Sequence, residues 1–196
     1  MTIHTFGDAN CYCGWHGVNS HYIGPEFCYS FGRRNLSKYD IMKYDVKRGD
    51  TIVLCFGERD CKYFIHQHIK ETRLTYQQII DDTVEKYFET IHLKITYAQI
   101  ELKHVCIYNV IPPVYRDNTF DSCFYEMPSN EEKKKYTLYF NKKLKEKCDE
   151  YGFIFFDIYD KYVNMDGYLD ANLSDNRNYI KNGKYINEFR QKYLDE

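Results

Sequence analysis

Residues 51–56, with the sequence TIVLCF, constrain the fold more than any other segment. The run is apolar almost throughout and stops at Gly57. A strand with one face in water alternates apolar and polar residues, whereas a strand of a parallel sheet is buried on both faces and apolar along its length. The segment therefore predicts a central strand in a sheet that is covered on both sides.

Four other short runs, rich in aromatic and β-branched residues, predict further strands. They occupy residues 2–6, 27–31, 105–111 and 153–158. Three of the five predicted strands end at a glycine, and the run at 105–111 ends at a pair of prolines. Glycine and proline commonly terminate a strand, so these boundaries support five separate strands.

Helical patterns follow or separate these strands. They cover residues 76–91, 129–151 and 179–193. The second begins with Ser129 and Glu132, the spacing of a capping box, and Gly152 follows it. Strands that alternate with helices favour a parallel sheet between helical layers. We predict an α/β fold, a three-layer α/β/α flavodoxin-like sandwich with a parallel sheet of about five strands, in one domain over residues 1–196.

Charge and hydropathy exclude several classes of partner. The chain has 27 Lys and Arg against 29 Asp and Glu, a formal net charge of −2. Such a chain has no overall positive field for nucleic acid, and none is expected as a partner. No apolar run reaches the length of a membrane span, and the first residues do not resemble a secretory signal. We therefore expect a cytoplasmic protein with no membrane partner.

Cysteine usage argues against disulfides and a structural metal. The chain has eight cysteines, and several of them lie within the apolar runs, where they read as small buried residues. The sequence contains no C-x-x-C pair, and the spacing of Cys11 and Cys13 does not fit a usual zinc site. We predict reduced thiols, no metal site and no cofactor.

Ligands of parallel sheets bind at the carboxyl ends of the strands. Four short segments follow predicted strands there or lie near the chain end: GDAN at residues 7–10, Gly32, GERD at 57–60 and DNRN at 175–178. In this order they resemble the sequence blocks of the SGNH, or GDSL, hydrolases. The resemblance extends over nearly the whole chain.

The resemblance implies acyl transfer. A serine in the first block attacks an ester carbonyl, and an Asp-x-x-His pair in the last block activates it. Backbone and side-chain N–H groups of the second and third blocks stabilise the oxyanion. The resemblance therefore assigns the nucleophile position to Ala9, the Asp and His positions to Asp175 and Asn178, and the oxyanion hole to Gly32 and Arg59.

This chain departs from the family at most of the chemical positions. Ala9 has no nucleophilic atom, Asn178 is no base near neutral pH, and Arg59 replaces an asparagine, although a guanidinium still donates hydrogen bonds. Asp175 and the glycines remain. The resemblance implies a relative of carbohydrate O-acyl, mainly acetyl, esterases and transferases that is catalytically inactive as written. Its expected ligand is an acylated carbohydrate or small acyl ester.

Several alternatives stay open. One alternative is that the chain is an inactivated variant of an active serine esterase. Another is a non-catalytic module that binds a glycan or a protein partner, including a second copy of itself. A third alternative moves the nucleophile to Cys11 or Cys13. Its base would be one of the loop histidines, which are His16, His21, His66 and His68.

The remaining pocket residues each have a structural interpretation beside the functional one. We expect Asp8, Asn10, Gly57, Asp60 and Trp15 to line the pocket. The Asp8 carboxylate can instead cap the turn that follows it. The Trp15 ring can be a stacking platform for a sugar or a core aromatic. Two further features favour a surface role, namely the histidine pair at 66 and 68 and the basic pairs at 33–34 and 47–48.

Overall fold

A computed structural model describes residues 1–33, 40–116, 127–175 and 179–195. Within them, five strands form one parallel sheet in the order β2-β1-β3-β4-β5. The strands are β1 (Ile3–Gly7), β2 (Asn19–Tyr22), β3 (Thr51–Cys55), β4 (His104–Tyr108) and β5 (Ile154–Phe156). This sheet confirms the predicted α/β fold with a flavodoxin-like strand order.

Six α-helices lie among the described residues. They are α1 (Cys28–Phe31), α2 (Ile65–Thr72), α3 (Tyr76–Ala98), α4 (Asn130–Tyr151), α5 (Tyr159–Tyr162) and α6 (Lys184–Tyr193). Two further segments, Ala9–Cys11 and Ile41–Tyr44, are 3-10 helices, and Asp60–Phe64 is a π-helix. Within the described part of the chain, none of the helices has the length and apolarity that a membrane span requires.

The sheet separates two apolar clusters, as its alternating side chains require. Ile52 and Leu54 of β3 pack with α3 and α4, in a cluster called here the α3/α4 layer. Val53 and Cys55 of the same strand point the other way and pack with α6, in the α6 layer. All four side chains are at most 4% exposed. The apolar run at 51–56 is thus a central strand buried on both faces, as predicted.

The strand register places the carboxyl ends of β1, β3 and β4 side by side. Gly7 at the end of β1 pairs with Cys55 at the end of β3, and Leu54 pairs with Ile107 one residue before the end of β4. Because the strands are parallel, the loops that follow them leave the sheet on the same side. The segments after β1 and β3 are therefore neighbours, which is what the site prediction needs.

The prediction of a strand at residues 27–31 is wrong, because this segment forms the short helix α1. Its first N–H groups are held by a carboxylate: Cys28 N donates to Asp60 Oδ2 at 2.7 Å and Tyr29 N to Asp60 Oδ1 at 3.1 Å. A helix start leaves such donors without intrahelical partners, and a buried acceptor favours the helix there. This acceptor lies 31 or more residues away in sequence, so local pattern does not reveal it.

The strand that sequence analysis missed is β2. Three of its four residues are exposed, and its sequence, NSHY, carries no apolar alternation. Its contacts to β1 are partly polar and aromatic: His21 Nε2 lies 2.9 Å from His4 Nδ1, and the His21 ring stacks on Phe6 with centroids 4.6 Å apart. An edge strand of this kind depends on its neighbour rather than on its own hydrophobic pattern.

The helix predictions are confirmed with shifted ends. The helix predicted at 76–91 is α3 and continues to Ala98, and that predicted at 129–151 is α4 with Ser129 as its N-cap. The reciprocal bonds of the capping box join Ser129 and Glu132. The last helix begins at Lys184 rather than 179. The segment 57–68, expected to be a loop, is mostly helical.

Candidate active site

The turn after β1 is fixed by Gly7. A Cβ atom there would collide with the backbone carbonyl oxygen of Cys55 on β3. The next residue, Asp8, donates its backbone N–H to the same oxygen at 3.3 Å. Only glycine allows the two strands to approach this closely, so Gly7 sets the path of the chain into residues 8–11.

Asp8 caps the 3-10 helix Ala9–Cys11, as its structural interpretation predicted. Its Oδ1 accepts hydrogen bonds from the backbone N and the side-chain Nδ2 of Asn10, both at 2.9 Å. Its Oδ2 is buried and has no hydrogen-bond partner among the described residues. The whole residue is 4% exposed. One carboxylate oxygen thus holds the turn, while the other is buried without a hydrogen bond.

Burial raises the pKa of Asp8 to about 7, and the negative charge of Glu58 adds to the rise. The hydrogen bonds from Asn10 and the positive charge of Arg59 act in the opposite direction. The carboxyl group therefore changes its protonation state near neutral pH. The same interactions show that Glu58 and Arg59, which follow β3, face the turn that follows β1.

Ala9 is the first residue of the 3-10 helix and is 8% exposed. Its carbonyl oxygen accepts from Cys13 N at 3.1 Å and Tyr12 N at 3.3 Å. The turn that follows β1 is well ordered by hydrogen bonds on both sides of this residue. Its side chain is a methyl group, which supplies no nucleophile and no proton-transfer group.

Gly57 lies on the loop that follows β3, and Arg59 lies in the helical segment that comes directly after it. Gly57 has φ +114°, and a Cβ would be 2.7 Å from Val110 Cγ2, so both conformation and space require glycine. The Arg59 guanidinium lies 5.4 Å from the ring centroid of Phe27 and 5.5 Å from that of Tyr63. Its Nε is buried without a hydrogen-bond partner among the described residues.

Gly32 does not take the oxyanion position that the sequence assigned to it. It ends α1, and its N–H donates to the carbonyl of Cys28 at 3.0 Å. A Cβ there would press on the backbone of Lys86 in α3, so this glycine serves helix packing. The assignment failed because residues 27–31 were taken for the second strand.

The glycine that follows the actual second strand is Gly24. Its neighbour Ile23 donates its N–H to the Gly7 carbonyl at 2.9 Å, which puts this loop beside the Asp8 turn. Gly24 has φ +116°, and the space that a Cβ would occupy is open. Sequence reasoning missed it because β2 has no apolar pattern to mark the loop.

Asp60 is not a pocket residue. It is fully buried, and both carboxylate oxygens accept the α1 N–H groups described above. Burial raises its pKa to about 7 despite these hydrogen bonds. Its chemistry is that of a helix cap, and the α1 segment depends on it.

Trp15 belongs to the core, which excludes its interpretation as a stacking platform. It is 6% exposed and packs in the α6 layer, with ring centroids 5.2 Å from Phe156 and 5.6 Å from Tyr108. Its Nε1 donates to the carbonyl oxygen of Asn10 at 3.0 Å. The indole thus supports the Ala9 turn from inside, and Asn10 is buried with it.

The last segment contains Asp175 and Tyr179, whereas Asn178 lies outside the described residues. Asp175 Oδ1 accepts from Tyr179 N at 3.0 Å, and Asp175 N donates to Tyr179 O at 3.0 Å. Burial raises the pKa of Tyr179 to about 12, with further contributions from Glu58 and Asp8. Tyr179 thus lies within electrostatic range of Glu58 and Asp8, and sequence reasoning missed it because it lies just beyond the motif.

The two cysteines after the turn do not form an activated nucleophile. Burial raises the pKa of Cys11 to about 12 and that of Cys13 to about 11, with nearby carboxylates adding to both. A nucleophilic cysteine needs the opposite shift, toward the thiolate. His21, proposed as one partner, contacts His4.

The histidine pair at 66 and 68, expected in a loop, lies on α2. His66 Nδ1 is 3.7 Å from Glu132, and His68 stacks on Phe64 with centroids 4.8 Å apart. Across the described ranges, no three potential metal-ligating side chains are grouped together. Both histidines thus make local contacts on and beside α2.

Comparisons with known proteins rest on structure alone. No family model and no curated protein matches the sequence. A protein from Streptococcus pneumoniae described as a candidate platelet activating factor superposes with a TM-score of 0.64 at 14% identity, covering 98% of this chain and 83% of the other. A candidate acylhydrolase from Bacteroides fragilis gives 0.63 at 14% identity, covering 97% and 85%.

A third structure is a catalytic mutant of an acetylxylan esterase from Geobacillus stearothermophilus. Its TM-score is 0.51 at 10% identity, and the match covers 96% of this chain and 90% of that one. Identities this low carry no information about substrates. They do confirm the fold: the chain has the three-layer fold of the SGNH hydrolases that its sequence blocks resemble.

Proposed function

We propose that this chain binds a small acyl ester, or the acyl group of an acylated carbohydrate, at the Ala9 turn and does not hydrolyse it by serine catalysis. The observation that carries the proposal is the methyl side chain of Ala9 at the start of an otherwise well-ordered turn. Covalent acyl transfer needs a nucleophilic atom at this point, and Ala9 offers none.

The other groups at the site do not replace the missing chemistry. The unbonded Oδ2 of Asp8 is buried, so it is poorly placed to activate water for attack on an ester. The raised pKa values of Cys11 and Cys13 disfavour their thiolates. The best-supported function is therefore binding rather than turnover.

Several groups remain that suit an ester ligand. The Arg59 guanidinium can donate to a carbonyl oxygen, and Gly24 leaves open space beside its backbone. Tyr12 is half exposed on the same turn and can supply an aromatic surface. A guanidinium donor and an exposed aromatic ring can polarise and hold a carbonyl without a nucleophile.

The test is hydrolysis of 4-nitrophenyl acetate by the chain as given, by Ala9→Ser, and by Ala9→Ser with Asn178→His. We expect no enzymatic rate from the first, little from the second, and at least about a tenfold gain over the first from the third, because triad members act as a unit. Ala171→Ser is the matched control, since it adds the same hydroxyl at an exposed position.

Binding is measured separately through Trp15, the only tryptophan of the chain. Because its indole donates to Asn10, next to Ala9, ligand at the turn should change its emission. Enzymatic ester hydrolysis by the unmodified chain would refute the loss of turnover. Absence of a saturable response to acyl esters, by fluorescence and by calorimetry, would refute the binding function.

A further inference from the structure

A second pocket lies beside the Ala9 turn and shares Glu58 with it. It is formed by the segment after β4, residues 110–116, and by the first turns of α4. Its polar lining groups are Glu58, Lys62, Arg116, Lys133 and Thr137. Glu58 also acts on the pKa of Asp8 and of Tyr179, so the two sites are neighbours.

We propose that this pocket binds a compact anionic group, a carboxylate or a phosphate, carried by the ligand. Three cationic side chains and one carboxylate line it among the described residues. Lys133 is 7% exposed, and the Lys62 side chain is 13% exposed with its Nζ 3.8 Å from Glu58. Cations this well shielded from water act strongly on an anion that enters beside them.

The helix direction adds to this charge. The pocket is lined by the first two turns of α4, at Lys133 and Thr137, and α4 begins at Asn130. The N-terminal end of a helix carries a partial positive charge, which favours an anion in the same place as the lysines do. Side-chain charge and helix dipole therefore act together.

The pocket wall is held in place before any ligand arrives. Asn141 of α4 binds both backbone groups of Val110, accepting from its N and donating to its O, each at 2.7 Å. Asn130 does the same for Arg116, at 3.3 Å and 2.8 Å. Two asparagines thus fix both ends of the segment to α4, and a fixed wall reduces the ordering cost of binding.

The segment between these anchors is apolar, with Pro112, Pro113 and Val114 facing the pocket. A ligand that fills it therefore has a short apolar part next to its anionic group. This points to acyl esters that end in a carboxylate or bear a phosphate, with the carbonyl at the Ala9 turn. The ester portion of this statement rests on the proposed function, whereas anion binding in the pocket does not.

Isothermal titration calorimetry with succinate and with its neutral analogue succinamide tests the pocket directly. We expect succinate to bind at least about tenfold more tightly, since hydrogen bonds to charged groups are the stronger ones. Lys133→Met should reduce the affinity for succinate about tenfold and leave succinamide unchanged. Lys145→Met, an exposed site on the same helix, is the matched control and should change neither.

Lys62→Met carries the same expectation at a less buried position, so a folding failure of Lys133→Met does not remove the test. Inorganic phosphate as a competitor distinguishes a general oxyanion site from one that prefers carboxylates. Equal affinity for succinate and succinamide, or equal behaviour of the Lys62, Lys133 and Lys145 variants, would overturn the proposal. Ester hydrolysis by the unmodified chain would instead contradict the proposed function alone.

Discussion

Replacing Asp8 with asparagine should stabilise the protein, and the gain over the unmodified chain should be larger at alkaline pH than at acidic pH. Asparagine keeps an oxygen where Oδ1 accepts from the Asn10 N–H groups, and it remains a good helix N-cap. It also removes the buried negative charge at Oδ2, which has no hydrogen bond among the described residues. The substitution thus removes the charge of the Asp8 side chain and keeps the cap of the 3-10 helix Ala9–Cys11.

The size of the effect follows from the pKa. Because folding raises the Asp8 pKa from 3.8 to about 7, the ionised carboxylate destabilises the folded state by about 4 kcal/mol relative to the protonated carboxyl group. The protonated Asp8 carboxyl group contributes this free energy to stability in full below pH 3.8. Because its pKa is higher in the folded state, the contribution declines as pH rises and is fully lost above pH 7. The advantage of Asp8→Asn should therefore grow by at most about 3 kcal/mol between about pH 5 and pH 8.

The assay is urea unfolding of both proteins at several pH values, followed by the emission of Trp15. Titrating groups that do not interact with Asp8 contribute equally to the two proteins, so the difference between their free energies of unfolding reports Asp8 and the groups its charge acts on, such as Asp60. An advantage that stays constant from pH 5 to pH 8, or a loss of stability at pH 8, would refute the burial argument. Asp149→Asn, at an exposed position of α4, should show no such trend.

Asp60 provides a contrast, since burial raises its pKa to about 7 as well. Both of its oxygens accept backbone N–H groups, so an amide NH₂ would face a donor at one of them. Both pKa values rise from 3.8 to about 7, so the ionisation contribution at pH 5 is the same at the two sites. Asp60→Asn should therefore lower the free energy of unfolding at pH 5 by about 1–3 kcal/mol relative to Asp8→Asn. Equal effects at pH 5 would mean that hydrogen bonding does not separate the two sites.

Three further changes test the local structure, each by urea unfolding. Gly57→Ala should lower the free energy of unfolding by about 2 kcal/mol or more, because φ is +114° and the new methyl group contacts Val110. Gly49→Ala, which also has positive φ but open space around it, is the control for backbone strain alone. Ser129→Ala should cost about 1 kcal/mol through loss of the α4 capping box, and Ser129→Thr should restore most of it. Trp15→Phe should lower the free energy of unfolding by at least about 1 kcal/mol, because it removes the indole N–H donor to Asn10 as well as packing contacts. Its unfolding is followed by circular dichroism, and an unchanged free energy of unfolding would contradict the role of that hydrogen bond.

The parts of the fold that were predictable from sequence are those whose signal is local. The run at 51–56 is apolar because both faces of β3 are covered, and Ser129 with Glu132 forms a cap within four residues. The strand β2 and the helix α1 were not predictable in this way. The first relies on contacts with β1, and the second on a carboxylate more than 30 residues away.

The same division applies to the site. The turn at Asp8 and Ala9 was identified because it follows an apolar strand and carries a recognisable sequence block. Gly32 was assigned to the oxyanion hole from its position after a predicted strand at residues 27–31, and the structure has a helix there instead. Tyr179 lies within electrostatic range of Glu58 and Asp8, whereas the sequence pattern placed it at the start of the last helix, which begins at Lys184 instead.

The two-layered core also determines how the chain should react with thiol reagents. Among the described residues, three buried cysteines lie in the α3/α4 layer, namely Cys28, Cys61 and Cys148, and three in the α6 layer, namely Cys11, Cys55 and Cys106. Burial raises the pKa of all six, whereas Cys13 is only half-buried. Pulsed alkylation read by mass spectrometry would therefore report, layer by layer, whether the two sides of the sheet open together or one after the other.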